Sequence, residues 1–230
     1  MILKIKNKIE KELAQYIKTS DKAYGLNRIS PLLYKNIAEF ISRSGKRVRP
    51  ILFCLGYLGF KDKTPAGFYR SALSMELIHD FLLVHDDIID KSLLRRGKPS
   101  MHAKLNKYLK DFKNIKFTGE DLAIVIGDVM YAMALDAFMS IKEAPLQKEK
   151  ALKKLIAAGL YTGAGEFIEL IYGASSIEKI TPKDIYKIYD LKTANYTFSF
   201  PLVTGATLAG ASEKETKLLF DYGNYLGRAF

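Results

Sequence analysis

Apolar residues recur every three or four positions along most of the chain, which is the spacing of a helix with one buried face. In the stretch 145–172, for example, Leu152, Leu155, Ile156 and Leu160 follow this spacing. Most of the seven prolines lie where a helix could begin, and no alternating β-branched runs lie between tight turns. The pattern predicts an all-α fold with helices over about 1–18, 31–43, 49–58, 65–91, 100–109, 120–142, 145–173, 182–200 and 201–230.

Composition places the chain among globular proteins. Its 230 residues are 48% hydrophobic and 27% charged, which suits one domain with a sizeable core. The 36 Lys and Arg residues outnumber the 25 Asp and Glu residues, giving a net charge of +11. These basic residues are spread along the chain and match no nucleic-acid-binding motif, so we expect solvated helix faces and no nucleic-acid partner.

The single cysteine and the most apolar segment restrict the function classes further. As the single cysteine, Cys54 excludes an intramolecular disulfide and a Cys-based zinc site, and it fits a reducing compartment.

The first residues show no long apolar run, so no secretory leader is expected. The apolar segment 122–141 carries Asp128 and Asp136, and two carboxylates would be costly in lipid. We therefore expect a buried core helix, no transmembrane segment and a cytoplasmic protein.

Three aspartates end the apolar stretch 76–90, which lies within the helix predicted over 65–91. Asp86 and Asp90 are one turn apart on one face, whereas Asp87 is rotated by about 100°. The helix macrodipole is unfavourable for anions at this end, so a bound cation would offset the repulsion. Mg²⁺ suits the pattern because it takes one or two carboxylates and shares its other positions with water and phosphates. On these residues alone, solvated carboxylates remain the alternative.

Two basic segments that contain glycine, 44–50 and 94–99, flank this acidic helix. Arginine offers forked donors that match phosphate oxygens, and lysine acts as a point charge. Acidic and basic groups together are typical of a diphosphate that is bound through Mg²⁺ and guanidinium groups. His79 lies two turns before Asp86 on the same face, although by itself it fits a core histidine better than a ligand.

With these residues in this order, the sequence resembles the trans-isoprenyl diphosphate synthases, or polyprenyl synthetases, and in particular the archaeal-type geranylgeranyl diphosphate synthases. The resemblance covers roughly residues 40–230. The matching motifs are Gly45-Lys46-Arg47-x-Arg49-Pro50, Asp86-Asp87-Ile88-Ile89-Asp90, Arg95-Arg96-Gly97-x-Pro99, Gly127-Asp128 and Lys192-Thr193-Ala194. The resemblance implies a single isoprenoid-synthase-like domain over 1–230, a bundle of long helices around a central cavity, and a homodimer.

The resemblance also implies an activity, Mg²⁺-dependent condensation of isopentenyl diphosphate with an allylic diphosphate, and a role for each matching residue. The implied metal ligands are Asp86 and Asp90, with Asp87 supporting. The implied contacts of the allylic diphosphate are Arg95 and Lys192, with Thr193 beside the developing cation. The residues implied to hold the diphosphate of isopentenyl diphosphate are Lys46, Arg49, His79 and Arg96.

Product length is expected to depend on the residues a turn or so before Asp86. Phe81 is five residues before Asp86 and Leu82 is four before. In the family, an aromatic residue at the fifth position alone resembles the archaeal C20 pattern. The resemblance therefore implies geranylgeranyl diphosphate, with farnesyl diphosphate as the second choice. From helix geometry alone, Phe81 could equally be ordinary packing bulk.

Two departures from the family pattern leave alternatives open. The chain ends at Phe230, where a second aspartate-rich motif would begin, so we expect that it lacks a C-terminal part. Where the family favours Gly-Gln-x-x-Asp, this chain has Gly165, Glu166 and Glu169. The two departures leave open an impaired relative, and the missing second motif leaves open a non-catalytic partner subunit of a prenyl synthase. A class I terpene cyclase and a head-to-head prenyl synthase fit less well, because the cyclase would not need a second basic set.

Overall fold

A computed structural model describes all 230 residues, and almost all regular structure in it is helical. The α-helices are α1 (Ile2–Tyr24), α2 (Leu26–Ile29), α3 (Pro31–Ile41), α4 (Val48–Leu58), α5 (Phe68–Ile89), α6 (Met101–Leu109), α7 (Gly119–Met139), α8 (Pro145–Gly173), α9 (Pro182–Ile188), α10 (Phe200–Leu208) and α11 (Glu213–Ala229). A 3₁₀ turn covers Ile177–Lys179, and a segment with π-helical turns covers Tyr189–Ser199. The strands β1 (Leu94–Arg95) and β2 (Lys98–Pro99) form an antiparallel hairpin. The all-α prediction is confirmed.

The predicted helix over 201–230 is wrong, because the chain turns between α10 and α11. Gly210 adopts a left-handed conformation with φ of 91°, which ends α10 at little steric cost. Ser212 then caps α11, since its hydroxyl accepts from the Glu215 amide and the Glu215 carboxylate accepts from the Ser212 amide. The apolar periodicity runs through both helices and concealed this break.

The predicted helix end before Pro201 is also wrong. The backbone stays helical from α9 through the π segment into α10, and Pro201 lies inside this continuous stretch. Proline has no N–H to donate to the preceding turn, so a regular α pattern cannot continue there. The π-helical turns immediately precede it, and such turns are frequent at functional sites.

The chain divides into two compact units. Unit 1 comprises Leu3–Arg47 and Tyr69–Ser140. Helix α5 is its most enclosed element, with every residue from 71 to 78 buried. The buried face of α1 consists of Ile5, Ile9, Leu13, Tyr16 and Ser20. The Tyr16 hydroxyl anchors α1 to α7 through hydrogen bonds to the Met133 carbonyl at 2.7 Å and to Asp136 at 2.8 Å.

Unit 2 comprises Val48–Phe68 and Ile141–Phe230. Helices α4 and α10 cross in close contact at two glycines. A Cβ on Gly56 would clash with the Leu202 carbonyl, and one on Gly205 would clash with the Phe53 carbonyl. Helix α11 packs against the π segment, so the backbone around that segment is enclosed on this side.

Two helices are long and apolar enough to cross a membrane by length and composition, namely α7 and α8. In the 18-residue windows that qualify, 44% of α7 and 22% of α8 is buried inside the protein. Core helices of soluble proteins pass the same test, so the sequence-based expectation of no membrane span stays a prediction.

Candidate functional site

The residues singled out from the sequence are divided between the two units. Those in unit 1 are Lys46, His79, Phe81, Leu82, Asp86, Asp87, Asp90, Arg95 and Arg96. Those in unit 2 are Arg49, Lys192 and Thr193.

The acidic end of α5 is held by Arg95. The guanidinium donates from Nε to Oδ1 of Asp87 at 2.8 Å, and Nη2 donates to the same oxygen and to Oδ2 of Asp86 at 3.2 Å. Asp87 is fully buried, Asp86 is half-buried and Asp90 is exposed. The structure therefore brings Asp86, Asp87 and Arg95 together at one end of α5.

At this helix end, two carboxylates, those of Asp86 and Asp87, share one guanidinium, that of Arg95. Burial raises the pKa of Asp87, the hydrogen bonds from Arg95 oppose that rise, and the charge of Asp86 adds to it. The net result is a pKa above the ordinary value of an aspartate. The hydrogen bonds to Asp87 likewise raise the pKa of Arg95. Oδ2 of Asp87 is buried and accepts no hydrogen bond from the protein, so this oxygen has capacity for a further positive group.

Arg95 and Arg96 lie on the β1–β2 hairpin, which the sequence pattern did not predict. Its two central residues, Arg96 and Gly97, have φ of 55° and 72°, as a type I′ turn requires. Glycine tolerates this conformation, whereas it is strained for arginine. The Arg-Gly pair could have signalled the turn, but the flanking strands are too short to show an alternating pattern.

Arg96 reaches from this turn to two buried carboxylates on α5. Its Nη2 lies 3.6 Å from Oδ1 of Asp80 and 3.7 Å from Oε1 of Glu76. Both carboxylates are almost wholly inaccessible to solvent. Sequence reasoning gave neither of them a role, although two acids one turn apart on an apolar helix are a usable signal because buried carboxylates require partners.

The basic segment 44–50 contains side chains with different environments. Lys46 is exposed. Arg47 is fully buried, and its guanidinium donates to Oε1 of Glu76 at 2.7 Å and to Oε1 of Glu10 at 2.8 Å. Burial lowers the pKa of Arg47, but these two carboxylates outweigh burial and raise it above its ordinary value. Arg47 therefore joins α1 to α5, and Lys46 is the accessible cation of the pair.

In unit 2, Lys192 is paired with both glutamates that depart from the family pattern. Its Nζ lies 2.5 Å from Oε2 of Glu166 and 2.6 Å from Oε2 of Glu169, both on α8. Burial lowers the pKa of Lys192, and the hydrogen bonds to the glutamates outweigh burial and raise it. Lys192 and the half-buried Thr193 both lie in the π segment.

Arg49 is also held within unit 2. Its Nη2 donates to the Thr197 hydroxyl at 2.7 Å, and its guanidinium carbon lies 4.5 Å from the centre of the Tyr196 ring. The Nε of Arg49 is buried and donates no hydrogen bond within the protein. Neighbours on the π segment thus orient the guanidinium, and its Nε can still donate a hydrogen bond to a ligand.

His79, Phe81 and Leu82 are half-buried on α5. The Phe81 ring meets His85 edge-on, with 4.6 Å between ring centres, and lies 5.3 Å from the ring of Tyr131 on α7. Phe81 therefore packs between α5 and α7. These contacts are compatible both with ordinary packing and with a wall that limits a growing product.

Comparison with known proteins covers most of the chain. The polyprenyl synthetase family model matches residues 30–230. The geranylgeranyl diphosphate synthase of Methanosarcina mazei is 27% identical over 198 residues, 86% of this chain and 56% of that protein. The short chain isoprenyl diphosphate synthase of Methanocaldococcus jannaschii is 29% identical over 227 residues, 98% of this chain and 60% of that protein. The chain thus spans less than two thirds of the length of these relatives.

Solved structures agree on the fold. A geranylgeranyl pyrophosphate synthase from Corynebacterium glutamicum, complexed with isoprenyl diphosphate and magnesium, has a TM-score of 0.85 at 24% identity and covers 98% of this chain and 65% of that chain. The geranylgeranyl pyrophosphate synthetase from Pyrococcus horikoshii has a TM-score of 0.79 at 25% identity, covering 99% of this chain and 63% of that chain. The all-α isoprenoid synthase fold expected from the sequence is confirmed.

Proposed function

Because the chain belongs to the polyprenyl synthetase family, we propose that the protein condenses isopentenyl diphosphate head-to-tail with an allylic diphosphate. The observation that carries this proposal is the end of α5, where Arg95 bridges Asp86 and Asp87. Carboxylates and a forked guanidinium side by side suit a diphosphate that is bound through both a metal ion and direct hydrogen bonds.

The residues at this helix end fit Mg²⁺. No three His, Cys, Asp or Glu side chains are grouped as a complete metal site. Mg²⁺ does not need such a group, because it commonly binds one or two carboxylates and completes its coordination with water and substrate phosphates. The buried Oδ2 of Asp87, which accepts no hydrogen bond, is consistent with a nearby cation. Asp86 and Asp90 would hold the ion, with Asp87 supporting, and the ion would stabilise negative charge on the departing diphosphate.

Two different sets of basic residues would bind the two substrates, one set for each diphosphate. Arg95 and Lys192 would donate to the allylic diphosphate, and the pairing of Arg95 with Asp86 supports this because it holds the guanidinium beside the acidic helix end. A second set would hold isopentenyl diphosphate, namely Lys46, Arg49, His79 and Arg96. The exposure of Lys46 and the free donor capacity of Arg49 favour this assignment.

The chemistry needs no nucleophilic side chain. The allylic C–O bond breaks, and the diphosphate departs with the electron pair, while fixed positive charges stabilise it. The double bond of isopentenyl diphosphate then forms the new C–C bond to the allylic cation, beside Thr193. A proton is lost from the adjacent carbon, which restores a double bond. An apolar, water-excluding surrounding would protect the cation from capture by water.

For the product we propose geranylgeranyl diphosphate, with farnesyl diphosphate second. Phe81 and Leu82 are the proposed chain-length residues on α5. The packing of Phe81 against Tyr131 supports a closed wall between α5 and α7 at this level. A homodimer, as the family resemblance implies, is part of the same proposal.

One observation favours a second candidate, an impaired or non-catalytic partner subunit of a prenyl synthase. The two glutamates on α8 already neutralise Lys192, so a diphosphate must displace them before it can bind this lysine. Incubation of the purified protein with labelled isopentenyl diphosphate and an allylic diphosphate distinguishes the candidates. Prenyl products in Mg²⁺ that disappear in EDTA support the enzyme, whereas no turnover unless another subunit is added supports the partner subunit.

A further inference from the structure

Arg43 has no assigned role, yet it is a buried arginine in contact with the hairpin that carries Arg95 and Arg96. Only 4% of the residue is exposed. Its Nη1 donates to the Arg95 carbonyl at 3.3 Å, and its Nη2 donates to the Pro99 carbonyl at 3.0 Å. One guanidinium thus binds the backbone of both strands of the hairpin.

The guanidinium of Arg43 is itself fixed by Glu39 on α3. Nε donates to Oε1 of Glu39 at 3.1 Å, and Nη2 donates to Oε2 at 3.0 Å. The Phe40 ring lies beneath it, 4.7 Å from the guanidinium carbon. A forked pair of this kind sets orientation as well as charge, so Arg43 has little freedom to move away from the hairpin.

The main chain of Arg43 also contacts the Arg96 side chain. The Arg43 carbonyl accepts from Nη1 of Arg96 at 3.5 Å and from Nη2 of Arg47 at 2.9 Å. Arg96 is in the left-handed conformation at the tip of the turn, a strained state that persists only when the surroundings impose it. Arg43 supplies such surroundings through both its side chain and its backbone.

We propose that Arg43 is a positioning residue that holds the Arg95–Arg96 hairpin in the geometry required for diphosphate binding. The inference rests on the proposed function, since it assumes that these two arginines contact diphosphate. Arg43 itself touches no substrate in this account. It acts through the two carbonyls that it binds, and these belong to the strands on either side of the strained turn.

The test compares Arg43→Met and Arg43→Lys with Lys104→Met. Lys104 is the matched control because its Nζ also pairs with Glu39, at 3.3 Å, yet it binds neither hairpin carbonyl. One measurement is hydrogen exchange of the amides between residues 93 and 100, without substrate. The other is the affinity for inorganic diphosphate in Mg²⁺, by calorimetry, well below the melting temperature of each variant.

We expect both Arg43 variants to weaken diphosphate binding by about 10- to 100-fold, because small displacements of binding groups have effects of this size. Exchange in the hairpin should rise about tenfold or more, with little change in α7. Arg43→Lys should be the milder variant, since it keeps the charge and loses the fork, and it carries the test if Arg43→Met does not fold. Lys104→Met should change neither quantity by more than about twofold.

Wild-type diphosphate affinity and hairpin exchange in Arg43→Lys would overturn the proposal. Faster exchange throughout unit 1 with unchanged diphosphate affinity would also overturn it, because that result describes a structural residue only. Both measurements are independent of turnover. A wild-type protein that binds diphosphate but forms no product would therefore contradict the proposed function while the role of Arg43 is still decided.

Discussion

Nζ of Lys192 lies 2.5 Å from Oε2 of Glu166, so the lysine proposed to bind the allylic diphosphate is occupied by a carboxylate. Glu169 approaches the same nitrogen at 2.6 Å. Two carboxylates against one ammonium leave a net negative charge at this point of the π segment. A diphosphate must overcome that charge to reach Lys192.

Glu166→Gln should therefore improve binding of the allylic substrate. The amide keeps the shape of the side chain and removes one competing charge, so we expect KM for the allylic diphosphate to fall about two- to fivefold. Steady-state kinetics check this, with the exposed Glu178→Gln as the matched control. An unchanged or higher KM in Glu166→Gln would show that the pairing does not oppose substrate binding.

Lys46 and Arg47 are neighbours in sequence, but substitution of Arg47 should lower stability, whereas substitution of Lys46 should weaken substrate binding. Arg47→Met leaves the buried Glu76 without its closest cation, so we expect a loss of about 3–5 kcal/mol in the free energy of unfolding. Lys46→Met removes an exposed charge and should change stability by less than about 0.5 kcal/mol.

Kinetics separate the two residues further. Lys46→Met should raise KM for isopentenyl diphosphate, because it removes a charge-assisted contact worth about 1.5–3 kcal/mol. Urea unfolding of both variants and a KM for Lys46→Met are sufficient measurements. Equal losses of stability in the two variants would contradict the division between a structural arginine and a binding lysine.

Much of the fold follows from sequence, because helices are formed by local periodicity and local caps. Ser30 and Thr181 precede prolines and cap α3 and α9 through their hydroxyls, as such pairs predict. The hairpin around Arg96 has only a weak local signal, the Arg96-Gly97 pair, because its strands are too short to show an alternating pattern. Its geometry depends on carbonyl contacts with Arg43, more than fifty residues earlier, and a distant contact leaves no local pattern.

The site was predictable in its residue types and less so in its pairings. Three aspartates and two basic segments are visible in the sequence, and Arg95 does lie against Asp86 and Asp87. The partners of Arg96 and Arg47 were missed, because they are acids in the middle of an apolar helix, Asp80 and Glu76. The packing of helices and loops against one another determines which carboxylate pairs with which arginine.

Glu39 should make stability depend on pH in the acidic range. Burial raises its pKa, but Arg43, Lys104 and Lys98 outweigh burial and lower the pKa from 4.5 to about 2. A pKa that is lower in the folded state stabilises the fold above the unfolded value, and this stabilisation is lost as the pH falls towards 2.

The measurement is the free energy of unfolding of wild type and Glu39→Gln between pH 7 and pH 2.5. Wild type should be more stable by up to about 2 kcal/mol at pH 7 once solvent screening is considered, and the difference should shrink below pH 4.5. The exposed Asp111→Asn serves as the control. A difference that stays constant over this range would contradict the pairing of Glu39 with the three cations.

Phe81→Ala should lengthen the products by one or more C5 units if Phe81 closes the end of the product site. The substitution removes the ring that lies against His85 and Tyr131 and opens space between α5 and α7. Chromatography of the prenyl products provides the readout, and Phe112→Ala, an exposed phenylalanine, is the control. An unchanged product distribution would show that other residues limit chain length and that Phe81 serves packing only.

The most direct test of the account is the rate of prenyl transfer in Asp86→Asn and Asp90→Asn, measured in Mg²⁺ with isopentenyl diphosphate and an allylic diphosphate. Each amide keeps the size of the side chain and removes a charge proposed to hold the metal ion, whereas Asp62→Asn changes an exposed aspartate elsewhere. We expect kcat/KM to fall by about 100-fold or more in both variants, roughly 3 kcal/mol of transition-state stabilisation, and to stay at the wild-type value in Asp62→Asn. Unchanged rates in Asp86→Asn and Asp90→Asn would show that these carboxylates do not hold a catalytic metal ion.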